Sequence, residues 1–192
     1  MPPELEPGTT LSGTYRITNK IAEGGMGVVY EAEHLRLTGR RVAVKVMMDL
    51  HRPDSEKALR FRREAEICSR LAHPHIVSVT DWDTLDNGAA YFVMEFLDGE
   101  SLADRMNRGS IPREQVMKIL RQIGAALDAA HRQAIVHRDL KPSNVFLVSS
   151  VSSDDQDVFI KVLDFGISKD LTEQTLKVTQ STILGSPRHM SP

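Results

Sequence analysis

The chain has 192 residues, which is enough for one large domain or two small ones. Hydrophobic residues make up 41% and charged residues 26%, a balance typical of globular proteins that excludes collagen-like, disordered and coiled-coil chains. The formal net charge is −2, so the chain lacks the basic excess on which nucleic-acid binding depends.

Cysteine content and hydropathy indicate where the protein works. The one cysteine, Cys68, cannot form an internal disulfide, which is typical of a reducing compartment. No apolar run reaches the length of a membrane span, about 18 residues, and the N-terminus has no apolar signal core. We therefore expect a cytoplasmic protein with no membrane segment in this chain.

The first half of the chain reads mostly as strands. Residues 1–13 are predicted to be a flexible segment, and residues 14–96 a β-rich domain with one main helix. That helix begins at Asp54 or Ser55 and reaches Ala72. The predicted strands begin near Tyr15, continue through Val28–Tyr30 and Arg41–Met47, and resume at Val77–Trp82 and Ala90–Glu95.

The second half, residues 97–192, reads as mostly helical. A long helix is predicted from Pro112 to about His131, with an apolar stripe at three- and four-residue spacing. Short strands are predicted at Val145–Val148 and Ile160–Leu163, with a polar loop at 149–157 between them. Residues 170–192 show no periodicity. The whole pattern predicts an α+β protein of two parts, and no internal repeat is evident.

A glycine cluster, Gly24-Gly25-Met26-Gly27, follows the first predicted strand. Most glycine pairs form plain hairpin turns, but glycines also let a backbone approach phosphates closely. The residues that follow are β-branched rather than helical, which argues against a dinucleotide-binding fold, and the lysine of a P-loop is missing. What remains is a glycine-rich hairpin.

Lys45 lies in the middle of a valine-rich strand. The bland interpretation is an exposed lysine, but its strand face also carries Ala43 and Met47, so the amine is expected to be partly buried. A desolvated ammonium needs an anion nearby. Glu64 shares the inward face of the predicted helix and can supply that anion.

Two further motifs carry polar chemistry. In His137-Arg138-Asp139-Leu140-Lys141-Pro142-Ser143-Asn144, a tight loop would bring together a proton acceptor, a cation and an oxygen ligand. Asp164-Phe165-Gly166 follows an apolar strand and places a carboxylate at a flexible joint. Alone the second motif is weak, but its position 25 residues after Asp139 strengthens it.

The order of these motifs resembles that of the protein kinase superfamily. The residues around the glycine cluster and Glu64 are most similar to those of bacterial serine/threonine kinases of the eukaryotic type. The resemblance covers about residues 15–192. It implies a two-lobe protein-kinase-like fold, with a complete β-rich N-lobe and an incomplete helical C-lobe.

The resemblance also implies roles for individual residues. Asp139 would be the catalytic base, assisted by Lys141, and Lys45 would bind the ATP phosphates with Glu64 as its partner. Asn144 and Asp164 would hold magnesium. The implied nucleotide-binding positions are Ala22, Gly24, Gly25, Gly27, Val29, Ala43, Lys45, Met94, Glu95 and Leu97.

Regulation is implied in the same way. Lys141, two residues after the base, is the serine/threonine version of the motif. Arg138 is associated with switching by phosphorylation of the activation loop, where Thr182 matches the usual acceptor and would be an autophosphorylation site. His73-Pro74-His75 is interpreted as a turn rather than a metal site, and Trp82 as a packing residue.

The sequence departs from the family pattern at two places. Ala22 stands where the first glycine is usual, so a modest weakening of nucleotide binding is expected. The chain also stops after the activation segment, before the family's later helices. We therefore expect an uncovered apolar stripe on the long helix, and poor solubility or self-association of the chain alone.

Two functions remain open from the sequence. The first is a serine/threonine protein kinase that transfers the γ-phosphoryl of Mg-ATP to a protein hydroxyl. The alternative is a truncated kinase-like nucleotide-binding or interaction module without turnover. Both exclude nucleic acid as a partner, because the charge and the aromatic platforms are missing.

Overall fold

A computed structural model describes residues 4–24, 27–47, 69, 71–149 and 158–165. The chain divides into two compact units. The first draws on Met1–Arg70 and Ser78–Leu97, and the second on Leu71–Val77 and Asp98–Pro192.

The first unit is built on an antiparallel sheet of six strands in the order β1-β2-β3-β4-β6-β5. β2 and β3 pair as a hairpin up to Gly24 opposite Gly27. The strands are β1 (Thr10–Leu11), β2 (Tyr15–Gly24), β3 (Gly27–His34), β4 (Arg41–Met47), β5 (Val79–Thr84) and β6 (Ala90–Glu95).

One face of this sheet forms the core of the first unit. Side chains alternate along a strand, so every second residue of β3, β4 and β6 contributes to the same face. The core cluster, which is buried throughout, consists of Leu11, Tyr15, Ile17, Val28, Tyr30, Ala32, Val42, Val44, Val46, Ala89, Tyr91 and Val93.

The N-terminal segment is tied to this sheet. Residues 1–13 were expected to be flexible, yet β1 pairs with β2, and Leu11 is buried in the core. The Ile17 N–H donates to the Thr9 carbonyl at 2.9 Å, and the Gly8 N–H donates to the Ile17 carbonyl at 2.8 Å. Residues 8–11 therefore lie along an edge of the sheet.

In its described residues, the second unit combines a three-stranded antiparallel sheet, in the order β7-β8-β9, with two helices. Helix α2 packs against β9. Its elements are β7 (Gly99–Ser101), α1 (Leu102–Asn107), α2 (Arg113–His131), a 3-10 turn (Pro142–Asn144), β8 (Val145–Val148) and β9 (Phe159–Val162).

Local signals account for both helices. The Ser101 hydroxyl caps α1 by accepting the Asp104 N–H at 3.0 Å. Pro112 stands immediately before α2, and its carbonyl accepts the Val116 N–H at 3.0 Å. Past the end of α2, Ala134 adopts a left-handed conformation with φ of 59°, which ends the helical path of the chain ahead of the loop that precedes β8.

The structure corrects two predicted strand boundaries. The strand expected at Val77–Trp82 begins instead at Val79. Val77 pairs with β9 rather than with this strand's neighbour, because its N–H donates to the Val162 carbonyl at 3.0 Å. The strand expected at Ile160–Leu163 runs one residue earlier, because the Leu163 N–H donates to the Asn144 carbonyl at 2.8 Å. β1, β7 and α1, all short, were not predicted.

Several predictions lie outside the described residues. Of the helix predicted to reach Ala72, only the end is described: Ser69 is helical, whereas Leu71 and Ala72 are not. Residues 150–157 and 166–192 are also outside. In the part of the chain that the structure describes, no helix combines the length and apolar character that crossing a bilayer requires.

The apolar stripe of α2 is only partly covered. Ile119, Ala126 and Ala130 are buried, whereas Val116 and Leu120 are 36% and 55% exposed. Together α1 and α2 border an apolar groove of about 410 Å³ that includes Met106. The exposed apolar surface expected on this helix is therefore present.

Candidate active site

The strand register of the first unit places several of the predicted nucleotide-binding residues on one sheet face. Ala22 lies opposite Val29, and Val29 lies opposite Lys45, so these three side chains form a row across β2, β3 and β4. Ala43 lies opposite Met94 in the next row on the same face. The core cluster occupies the other face.

This face combines apolar side chains with one cation. Ala43 is only 8% exposed, while Val29, Lys45 and Met94 are half-buried. Lys45 is therefore partly buried, as predicted. A flat base could pack on Val29, Ala43 and Met94, and an ammonium could bind a phosphate, so the residues present fit an adenine nucleotide.

The two described glycines of the cluster differ sharply in their surroundings. A Cβ on Gly27 would lie 2.2 Å from the Val46 carbonyl oxygen on β4. A Cβ on Gly24 would meet no atom within 4 Å. Gly27 is therefore required by the approach of two strands, whereas Gly24 lies in open space. Gly25 is outside the described residues.

The segment after β6 is held by side-chain contacts. The Glu95 carboxylate accepts the Ser78 N–H at 2.7 Å, and the Glu95 N–H donates to the Ser78 carbonyl at 3.0 Å. Because Glu95 lies opposite Val42, its side chain is on the core face rather than the Lys45 face. The Arg41 guanidinium lies 4.2 Å from the centre of the Phe96 ring, next to half-buried Leu97.

In the second unit, the loop before β8 brings three of the predicted residues together. The Lys141 ammonium lies 2.9 Å from Asp139 Oδ2, and the Asp139 side chain is 9% exposed. Asn144 Nδ2 donates to the Asp139 carbonyl at 2.9 Å and to Oδ2 at 3.3 Å. A nearly buried carboxylate is thus held between a cation and an amide.

His137 anchors this loop from beneath. The Asp139 N–H donates to His137 Nδ1 at 3.3 Å, so Nε2 carries the ring proton and donates to the Leu163 carbonyl at 2.8 Å. Burial is the main cause that lowers the pKa of His137 below its ordinary value of 6.5, and the hydrogen bond to Leu163 opposes it. The ring also lies 4.8 Å from the Phe165 ring.

Two residues of this region have a backbone conformation that is rare outside glycine. Arg138 has a φ of 59° and Asp164 a φ of 56°. Such a conformation costs about 1–3 kcal/mol and clusters at functional sites. The Leu163 carbonyl and N–H bond to His137 and Asn144, so Asp164 directly follows a residue that is fixed on the Asp139 loop.

Asn144 and Asp164 fit a magnesium ion by their chemistry. Since Asn144 Nδ2 donates to Asp139, the atom of this amide that could face a cation is the oxygen Oδ1. An amide oxygen and a carboxylate are hard ligands of the kind that Mg²⁺ prefers. Glu64, Gly166 and Thr182 lie outside the described residues.

Sequence reasoning missed two side chains that hold β9. Gln122 bonds the backbone of Val158 and Ile160, and His75 Nδ1 lies 3.0 Å from the Ile160 carbonyl. Gln122 interrupts the apolar stripe of α2 between Ile119 and Ile123. A polar residue in that position was the signal that could have marked it.

The chain belongs to the protein kinase family: the model of the protein kinase domain matches residues 15–192. It is 38% identical over 189 residues to the probable serine/threonine-protein kinase PknB of Lactococcus lactis, covering 98% of this chain and 29% of that protein. The chain thus spans less than a third of that relative's length. The family and the fold predicted from the motif order are confirmed.

Solved structures show the same fold. A double mutant of the Mycobacterium tuberculosis PknI kinase domain matches with a TM-score of 0.74 and 34% identity, covering 86% of this chain and 65% of that one. A structure of Rad53 in complex with AMP-PNP matches with a TM-score of 0.67 and 30% identity, covering 80% of this chain and 38% of that one.

Proposed function

We propose that this chain supplies the catalytic residues of a serine/threonine protein kinase, which transfers the γ-phosphoryl group of Mg-ATP to a hydroxyl group on a protein. The single observation that carries the proposal is the Asp139 carboxylate, held by Lys141 and Asn144 in a loop of strained backbone. The names of the relatives and the nucleotide analogue bound to Rad53 support it.

Asp139 would act as the base of the transfer. Its carboxylate accepts the proton of the attacking hydroxyl as the oxygen forms a bond to the γ-phosphorus and the bond to the leaving ADP oxygen breaks. The ammonium of Lys141, 2.9 Å from Asp139 Oδ2, neutralises negative charge on the transferred group. Because the protein holds the base and the cation in place before the reaction, catalysis depends mainly on positioning.

The remaining residues would hold the nucleotide. Val29, Ala43 and Met94 contact the base, with the Glu95 and Leu97 backbone beside it, and Lys45 binds the phosphates with Glu64 as its partner. Ala22, Gly24, Gly25 and Gly27 shape the hairpin over them. Asn144 and Asp164 hold Mg²⁺, which supplies charge neutralisation at the phosphates when bound.

Replacing Asp139 separates this function from binding alone. In Asp139→Asn, phosphate incorporation into a generic basic protein should fall about 10²- to 10⁴-fold, because the base is lost. The affinity for a non-hydrolysable ATP analogue should stay close to that of the wild-type chain. Labelled phosphate and calorimetry measure the two quantities.

The control is Asp128→Asn, which alters an exposed aspartate of α2 paired with Arg132 at 2.6 Å. This variant should transfer phosphate like the wild type. Transfer that survives in Asp139→Asn would overturn the assigned role. A wild-type chain that binds the analogue but transfers no phosphate would instead establish the nucleotide-binding module.

A further inference from the structure

Strand β9 is hydrogen-bonded along both of its edges. One edge pairs with β8. On the other edge, the Val162 N–H donates to the His75 carbonyl at 2.9 Å, and the Val77 N–H donates to the Val162 carbonyl at 3.0 Å. Residues 75–77 therefore act as a short parallel strand beside the end of β9.

The side chain of Gln122 continues this second edge. Its Nε2 donates to the Val158 carbonyl at 2.7 Å, and its Oε1 accepts the Ile160 N–H at 2.9 Å. A residue of a parallel strand makes the same pair of bonds, to the carbonyl before its opposite residue and to the N–H after it. The amide of Gln122 thus takes the place of a strand residue opposite Phe159.

His75 Nδ1 lies 3.0 Å from the Ile160 carbonyl and fills the position between Gln122 and Val77. The second edge of β9 is thereby bonded from Val158 to Val162. Position along this edge is set by the side chains of Gln122 and His75 and by one short segment of backbone.

The hydrogen bonds along this edge determine the position of Asp164. Asp164 follows β9 by two residues, and Leu163 between them bonds to Asn144 and His137. A shift of β9 along its axis would move Asp164 relative to Asn144. The two oxygen ligands would then no longer match the distance that one small cation demands, because Mg²⁺ tolerates little deviation from ideal geometry.

We propose that Gln122 is a positioning residue for the metal-binding carboxylate of Asp164, acting through the backbone of β9. The proposal rests on the proposed function, since that function assigns Asp164 to Mg²⁺. It adds a residue on α2 that touches neither nucleotide nor metal. Outer contacts of this kind typically alter metal affinity strongly when they are removed.

Gln122→Met tests the proposal by removing both hydrogen bonds while keeping the length of the side chain. With a non-hydrolysable ATP analogue at saturation, the Mg²⁺ concentration for half-maximal Mg²⁺ binding should rise about three- to tenfold. The reason is the loss of two hydrogen bonds that position the Asp164 carboxylate. Affinity for the analogue in EDTA should stay within about twofold. Calorimetry measures both values.

Gln133→Met is the matched control, because Gln133 is exposed in the turn after α2. It should leave both affinities unchanged. A purely structural role of Gln122 would lower both affinities together, or only the melting temperature. Either result, or an unchanged Mg²⁺ requirement in Gln122→Met, would overturn the proposal.

Gln122→Glu provides a second test that depends on pH. A protonated carboxyl group can donate to Val158 and accept from Ile160 as the amide does, whereas a carboxylate cannot donate. The defect in Mg²⁺ affinity, measured against the wild type at each pH, should therefore shrink between pH 8 and pH 4.5, close to the ordinary pKa of a glutamate carboxyl group, about 4.3. His73, His75 and Lys161 lie on or beside β9 in both proteins, so comparison with the wild type at each pH isolates the effect of position 122.

Hydrogen exchange gives a readout without metal or nucleotide. Exchange at the Ile160 amide, corrected for the intrinsic rate, should be faster in Gln122→Met than in the wild type, because the acceptor of this N–H is removed. Equal exchange rates in the two proteins would contradict the role of Gln122 as the hydrogen-bond acceptor of Ile160. Should the wild-type chain show no Mg²⁺-dependent binding of the analogue, the proposed function would fail, and the inference with it, whatever the exchange shows.

Discussion

Gly24 and Gly27 face each other across the end of the β2–β3 hairpin, yet they serve different needs. The close approach of Gly27 to the Val46 carbonyl leaves no room for a side chain, while Gly24 has open space around it. Conventional reasoning would assign both glycines to phosphate binding. The structure shows that one of them is needed for strand packing in any case.

This difference predicts opposite outcomes for one substitution. Gly27→Ala should lower the free energy of unfolding by about 1–3 kcal/mol, because the new methyl group overlaps the Val46 carbonyl. Gly24→Ala should change it by less than about 0.5 kcal/mol. Urea denaturation of the two variants compares them directly, and equal stabilities would refute the packing role.

The sequence predicted that residues of the loop before β8 would converge, but it did not predict the side-chain contact of Glu95. Asp139, Lys141 and Asn144 converge as their spacing suggested, since a tight turn leaves the six residues from 139 to 144 little room to diverge. The resemblance implies that Glu95 lies beside the nucleotide, but it says nothing of the Glu95 carboxylate, which bonds to Ser78. That contact joins positions 17 residues apart, which no local pattern encodes.

Helix α2 carries two neighbouring apolar residues with opposite exposure. Ile119 is 4% exposed and Leu120 is 55% exposed, although the three- and four-residue pattern assigned both to one stripe. A helix turns by about 100° per residue, so adjacent positions reach the edges of an apolar stripe rather than its centre. Leu120 lines the apolar groove beside α1.

The exposed part of this stripe should cause self-association of the chain. Leu120→Glu should shift the light-scattering mass toward the monomer while changing the free energy of unfolding by less than about 0.5 kcal/mol. Ile119→Glu, one residue away, should instead unfold much of the protein, since it buries an unpaired charge. A wild-type chain that is monomeric at high concentration would show the prediction to be wrong.

Across the whole molecule, the two units respond to opposite extremes of pH. In the first unit, burial raises the pKa of Tyr15 to about 12, and burial also raises the pKa of Tyr91. The Tyr15 hydroxyl donates to Asp81 at 2.9 Å, which holds its proton further. In the second unit, burial lowers the pKa of His73 and of His137 below 6.5.

The sign of each shift predicts which unit weakens first. Histidines with a lowered pKa contribute stability that is fully present above pH 6.5 and is lost as the pH falls below it, because the unfolded chain binds the proton more tightly. Tyrosines with a raised pKa contribute stability below pH 10 that is lost as the pH rises toward 12. Acid should therefore lower the stability of the second unit, and alkali should lower the stability of the first.

Hydrogen exchange can resolve the two units. Between pH 7.5 and pH 5.5, the opening free energy at the Ala126 amide in α2 should fall, and that at the Val44 amide in β4 should change little. His137→Gln, which has no titrating ring, should reduce the fall at Ala126. A parallel decrease at both amides would contradict the assignment.

The linear order of residues was enough to establish the family, the strand alternation and the position of α2. These depend on neighbours two to four residues apart, and on motifs whose members follow one another in the chain. The linear order of residues did not determine the register of the strands or which segment each strand pairs with. Val77 bonds to β9 rather than extending β5, and Gln122 reaches Val158 and Ile160 across 36 and 38 positions. Such bonds depend on which distant segments the folded chain brings together, so a local sequence pattern does not determine them.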